Sequence, residues 1–177
     1  MVYSFILKEK KLAKKPTLVD WDSLDLTHVL ADKEEIRKQN PHRFEMEMLT
    51  AIVHEDYENQ LCIGYQDVSP DAFWVRGHMP GYPIMPGVII CESAAQLASF
   101  YAHKLDYLDR GIMGLGGLDA VKFRGQVRPG DRLYLIVKLI KAKRNVMMIL
   151  AFEAVVDGNV VADGEIRGIA IRDAVIE

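Results

Sequence analysis

One histidine and one glutamate, His78 and Glu92, stand apart in the run GHMPGYPIMPGVIICESAAQ, Gly77 to Gln96. No other residue between Gly77 and His103 is formally charged. An ionised carboxylate buried among aliphatic side chains is costly unless it is protonated, hydrogen-bonded or paired. Gln96 lies one helical turn beyond Glu92, where its amide can bond the carboxyl and fix its orientation. A histidine and a desolvated carboxylic acid form a usable base and acid, because burial moves both proton affinities toward the working pH. Gly87 opens the segment that carries Glu92, and backbone N–H groups at a helix N-terminus can polarise a carbonyl oxygen. The set suits removal of a proton alpha to a carbonyl with loss of a group one carbon further on, an elimination of water. The competing readings are a structural buried network for Glu92 with Gln96 and a hydrogen-bonded structural histidine at position 78.

These groups need elements to present them. The spacing predicts a helix from Pro86 to about Leu108, with proline and glycine at its start. Its first half, GVIICESAAQLASFY, is apolar on nearly every face and must be wrapped on most sides. Around it the pattern is β. Two β-branched segments between Met48 and Val68 flank EDYEN, and DAVKFRGQV leads through the turn PGD into LYLIVKLIKA, VMMILAFEAVV and VVADGEIRGIAI. Asp157-Gly158-Asn159 is a strong hairpin signal, and an antiparallel meander is expected. One buried helix held by a curved antiparallel sheet is an α+β architecture, the hot-dog fold. Ahead of it, Asp32 and Glu35 mark the start of a short helix that Pro41 stops. Residues 1–31, with the basic run KEKKLAKK and the acidic stretch VDWDSLDL, read as an N-terminal extension to a domain at 32–177.

Composition narrows the function classes. With 177 residues, half of them hydrophobic, and a formal charge of -3, the chain suits one substantial domain and implies neither nucleic acid nor membrane as a partner. Cys62 and Cys91 lack metal-ligand or disulfide spacing, and no metal or other cofactor is expected. The short apolar segment precedes its basic run, the reverse of a secretory signal, and a cytoplasmic location follows. Cys91 as a nucleophile served by His78 is disfavoured, since adjacent helix positions diverge by about 100 degrees. His28, His42, His54 and His103 show no ligand spacing and read as surface or capping residues, with His42 in PHR the exception to watch as a structural group.

HMPGYPIMPGVIICESAAQ resembles the signature of the FabZ-type 3-hydroxyacyl-acyl-carrier-protein dehydratases of fatty acid synthesis, in which H-F-P-G-x-P, P-G-V and E-A-x-A-Q recur at this spacing. PHR at Pro41 to Arg43, KFRGQVRPGD at Lys122 to Asp131 and the closing VDGNVVADGEI carry the resemblance over roughly residues 35–170. It implies a hot-dog homodimer, possible trimers of dimers, and His78 of one subunit meeting Glu92 of the other. His78 would take the alpha proton, Glu92 would protonate the departing hydroxyl, and Gly87 N–H would hold the thioester oxygen. Glutamate at 92 favours this branch over the dehydratase-isomerases, which carry aspartate. A hot-dog thioesterase and a non-catalytic acyl-binding protein are the alternatives. The sequence departs from the family at Met79, Ser93, Thr50 and the glycine-rich Gly114 to Gly117, where relatives often carry aromatics before the strand. The substrate partner, acyl carrier protein, would dock on a basic surface drawn from Arg124, Arg128, Arg132, Lys138, Lys141, Lys143 and Arg144.

Overall fold

The computed structural model describes residues 17–109 and 111–171; the basic run at 8–15 lies outside them. Asp32 caps α1 (Lys33–Arg37), its carboxylate accepting from Glu35 N–H at 3.0 Å. Two strands, β1 (Ala51–Asp56) and β2 (Leu61–Asp67), follow as the β-branched segments require. The central helix, α2, spans Gly87–Lys104. Then come β3 (Ile112–Phe123), β4 (Arg132–Lys143), β5 (Met147–Val156) and β6 (Asn159–Ile171).

All six strands join one antiparallel sheet in the order β1-β2-β4-β5-β6-β3. The β4-β5-β6 meander matches the sequence pattern, and the Asp157-Gly158 turn has φ of 49° and 72°, the left-handed pair that a tight hairpin needs. Two expectations are corrected. First, β3 does not continue into the meander beside β4; it pairs with β6 at the far edge, and the 124–131 link carries the chain back to β2's neighbour. It also begins at Ile112, so the glycine-rich run expected ahead of the strand lies inside it. Ile171 and Ile169 occupy the space that Cβ atoms at Gly114 and Gly116 would take.

Second, α2 stops four residues short of Leu108. Asp106 adopts φ 57°, its N–H bonds the His103 carbonyl, and Tyr107 N–H reaches back to Ala102 O at 3.0 Å. That paired closure is a Schellman motif, built here without glycine.

The sheet wraps the helix as its apolar composition demands. Ala94, Leu97, Ala98 and Phe100 are fully buried against Leu133, Leu135, Leu150 and Phe152. The Tyr101 hydroxyl, carried into the same core, donates to Asp56 O at 2.9 Å and so is not left unsatisfied. Only the first half of α2 shows an open stripe, at Val88, Ile89, Glu92 and Ala95.

The segment before α1 is not free of the domain. Leu18, Val19, Trp21, Leu24 and Leu26 pack on the sheet's other face over Val53, Ile63, Tyr65 and Ile136. Trp21 meets Tyr134 edge-on at 5.6 Å, and Leu18 N–H donates to buried Glu153 at 2.9 Å. Without this cover the outer face would present an apolar patch to water. Trp21→Ala is therefore expected to lower unfolding free energy by about 1 to 3 kcal/mol in urea titrations, with turnover unchanged.

Candidate active site

His78 sits in the turn-rich loop before α2, anchored at both ends of its own backbone. Its N–H donates to Trp74 O at 2.8 Å and its carbonyl accepts from Ile84 N–H at 2.9 Å. The ring is fixed as well: Nδ1 lies 2.7 Å from Ile84 O. A carbonyl can only accept, so Nδ1 carries a proton, and in the neutral ring the lone pair is then on Nε2, the form a general base requires. Tyr82 ties the loop to the 124–131 link. Its hydroxyl bonds Gln126 Oε1 at 3.1 Å, and the Arg128 guanidinium lies 4.6 Å from its ring centroid.

Glu92 faces outward on the open stripe of α2, with 24% of its side chain exposed. Gln96 holds it in the manner the spacing predicts. Gln96 Oε1 accepts from Met48 N–H at 3.1 Å, which forces the amide nitrogen to be the donor, and Nε2 bonds both Met46 O and Glu92 Oε1 at 2.8 Å. The orientation of this amide is thus settled by its partners. Within one chain the hydrogen bonds and ion pairs of His78 and Glu92 do not include each other.

Gly87 begins α2 after Pro86, and helix geometry leaves its amide without an intrahelical acceptor. Its lack of a side chain has a local cause too: a Cβ there would sit 2.6 Å from the ring of Phe123. The same strand end therefore packs directly on the helix start.

Sequence reasoning underrated His42. It was expected at the surface or in a structural role, but its Nε2 lies 3.5 Å from Glu92 Oε1, so it belongs to the acid's surroundings. Its one signal was the PHR motif. Burial holds the His42 ring below the usual imidazole range, with the nearby Glu92 carboxylate opposing that shift. Cys91 is buried and burial pushes its thiol up, which suits a packing residue and not a nucleophile.

The family departures have local accommodations. Ser93 Oγ lies 2.8 Å from Gln66 Oε1 and 2.9 Å from Ile89 O, so its hydroxyl is satisfied in the core. Thr50 Oγ1 accepts from Asp67 N–H at 2.9 Å. Part of the proposed basic surface is engaged in ion pairs. Arg124, Arg132 and Arg144 pair with Asp163, Asp67 and Asp106/Asp109 respectively, and of the seven cations Arg128 is bound to the His78 loop.

The FabA-like domain model matches residues 40–165. The chain is 39% identical over 139 residues to the 3-hydroxyacyl-[acyl-carrier-protein] dehydratase FabZ of Sorangium cellulosum, covering 77% of this chain and 88% of that protein. The chain belongs to the FabA-like family. A second FabZ, from Campylobacter jejuni, is 34% identical over 147 residues, 80% of this chain and 99% of its own length. Among solved structures, a member of the dehydratase heterocomplex ApeI:P from Xenorhabdus doucetiae aligns with a TM-score of 0.66 at 17% identity, over 78% of this chain and 91% of that one. A sigma28-regulated virulence protein from Campylobacter jejuni aligns at 0.59 and 14% identity, over 84% and 98%. These likenesses establish the hot-dog fold of this FabA-like protein, with α2 as its central helix. Among the described residues, no helix is long and apolar enough to cross a membrane.

Proposed function

We propose that the protein is a 3-hydroxyacyl-acyl-carrier-protein dehydratase of fatty acid biosynthesis, with His78 as base and Glu92 as acid. His78 Nε2 takes the alpha proton of the hydroxyacyl thioester, and the electron pair moves toward the thioester carbonyl. Gly87 N–H, at the positive end of α2, meets the charge that gathers on that oxygen. The C3–O bond then breaks as Glu92 delivers its proton to the hydroxyl, releasing water and a trans-2-enoyl thioester. The single observation that carries this assignment is the 2.7 Å bond from His78 Nδ1 to Ile84 O, because it leaves the other ring nitrogen basic.

Two copies complete the site in this reading. Strand β3 forms an unpaired sheet edge, and Leu118 and Phe123 on it are exposed, as is Val88 at 70% beside the helix start. A second chain paired along that edge would cover them and bring His78 of one subunit to Glu92 of the other. The homodimer, its cytoplasmic location and docking of acyl carrier protein near Arg128 belong to the same proposal.

Purified protein is expected to hydrate a crotonyl thioester, the reverse reaction, seen as loss of enoyl absorbance with the thioester intact. Release of free thiol at constant enoyl content would select a hot-dog thioesterase instead. An inert protein that still binds acyl thioesters would select the accessory role.

A further inference from the structure

Glu92 has two oxygens, and the structure treats them differently. Both neighbouring donors, Gln96 Nε2 at 2.8 Å and His42 Nε2 at 3.5 Å, approach Oε1. Two buried polar atoms of the same segment lack partners: His42 Nδ1 and Asn40 Oδ1. Asn40 is only 3% exposed, and its amide nitrogen donates to Gln96 O on α2 at 2.9 Å, so its oxygen is the end left over. Asn40, His42 and Gln96 line one small cavity of about 10 Å³, close to the size of a single water.

Orphaned buried atoms of this kind call for a shared partner. Asn40 Oδ1 can only accept, and one water donating to it has a second hydrogen for His42 Nδ1. Water can equally accept from an Nδ1–H, so the choice falls to the other end of the ring: the Glu92 oxygen 3.5 Å from Nε2 favours the proton there, leaving Nδ1 to accept from the water. We propose that Asn40 and His42 are positioning residues for the acid: a buried water bridging Asn40 Oδ1 and His42 Nδ1 supports the Nε2–H tautomer that the Glu92 oxygen selects, and His42 with Gln96 holds Glu92 Oε1, leaving Oε2 to carry the transferred proton.

The benefit is realised in the transition state. As the proton leaves Oε2 for the departing hydroxyl, negative charge spreads onto Oε1, where the Gln96 bond is already made and His42 Nε2 stands 3.5 Å away. Both interactions strengthen as the charge grows, which is differential stabilisation and not mere binding. Burial lowers the proton affinity of the His42 ring, which favours the neutral form as a donor and not a competing acid.

The inference rests on the dehydratase reading, and its test separates the two. Nitrogen-15 spectra of the wild-type protein labelled at histidine should show His42 with a protonated Nε2 and an unprotonated Nδ1 at neutral pH. A dominant Nδ1–H form overturns the proposal, whatever the activity. In hydration assays, His42→Ala should lower kcat about tenfold to a hundredfold with KM little changed. His42→Gln, whose amide can reach the same oxygen, should recover most of that loss. Unchanged kcat in His42→Ala, alongside an inactive Glu92→Gln, would defeat the positioning role and leave the dehydratase standing; an active Glu92→Gln would instead remove the dehydratase reading. Should His42→Ala fail to fold, the tautomer measurement still decides.

Discussion

His78→Ala is expected to hydrate a crotonyl thioester about a thousandfold more slowly than the wild type, because nothing else at the loop offers a base at that position. The ring's backbone anchor, Nδ1 to Ile84 O, is lost with it, so circular dichroism and the thermal midpoint must be checked alongside. Glu92→Gln should cost a similar factor. It keeps the shape of the side chain but removes the transferable proton, and KM should move little, since the change acts on the chemical step and not on substrate binding. Both losses appear in single-turnover measurements with a crotonyl thioester. Substantial activity in both variants would end the acid–base assignment.

Mixing these two inactive variants is expected to restore activity from almost nothing. If each site takes His78 from one subunit and Glu92 from the other, a mixed dimer has one site with both lesions and one with neither. Random reassortment makes half the dimers mixed, each with one of two sites intact, so about a quarter of wild-type activity should return. Refolding the two variants together, then assaying against each refolded alone, reads this directly. A site contained within one chain predicts no recovery at all. Within one chain His78 is bound to Ile84, and Glu92 to Gln96 with His42 nearby, so the mixing experiment asks whether a second chain brings the two together.

Much of the site was legible from local chemistry. The i,i+4 relation of Glu92 to Gln96 is a property of any helix, and the structure realises it at 2.8 Å. Asp32 as a cap and Asp157-Gly158 as a hairpin turn depend on a few backbone angles and hold as read. The expectation that Glu92 needs a partner is met by Gln96, and the side it turns outward could not be read from its apolar neighbours, because sequence neighbours on a helix point in different directions. Position 92 falls on the one stripe the sheet leaves open. The overlong helix failed for a related reason: no glycine marks its end, and Asp106 adopts the left-handed angle instead.

By itself the sequence determined the elements, the β-rich wrapping of one apolar helix, and which residue types could act as base, acid and carbonyl partner. Those follow from periodicity, turn chemistry and spacing within a few residues. Tertiary structure decided what depends on distant segments meeting. It set β3 at the far edge beside β6, laid Trp21 and its neighbours over the outer face, and brought His42 against Glu92 and Asn40 against Gln96 from about fifty residues away. No spacing rule encodes such contacts, because they are fixed by sheet order and by how the helix packs into the sheet's curve.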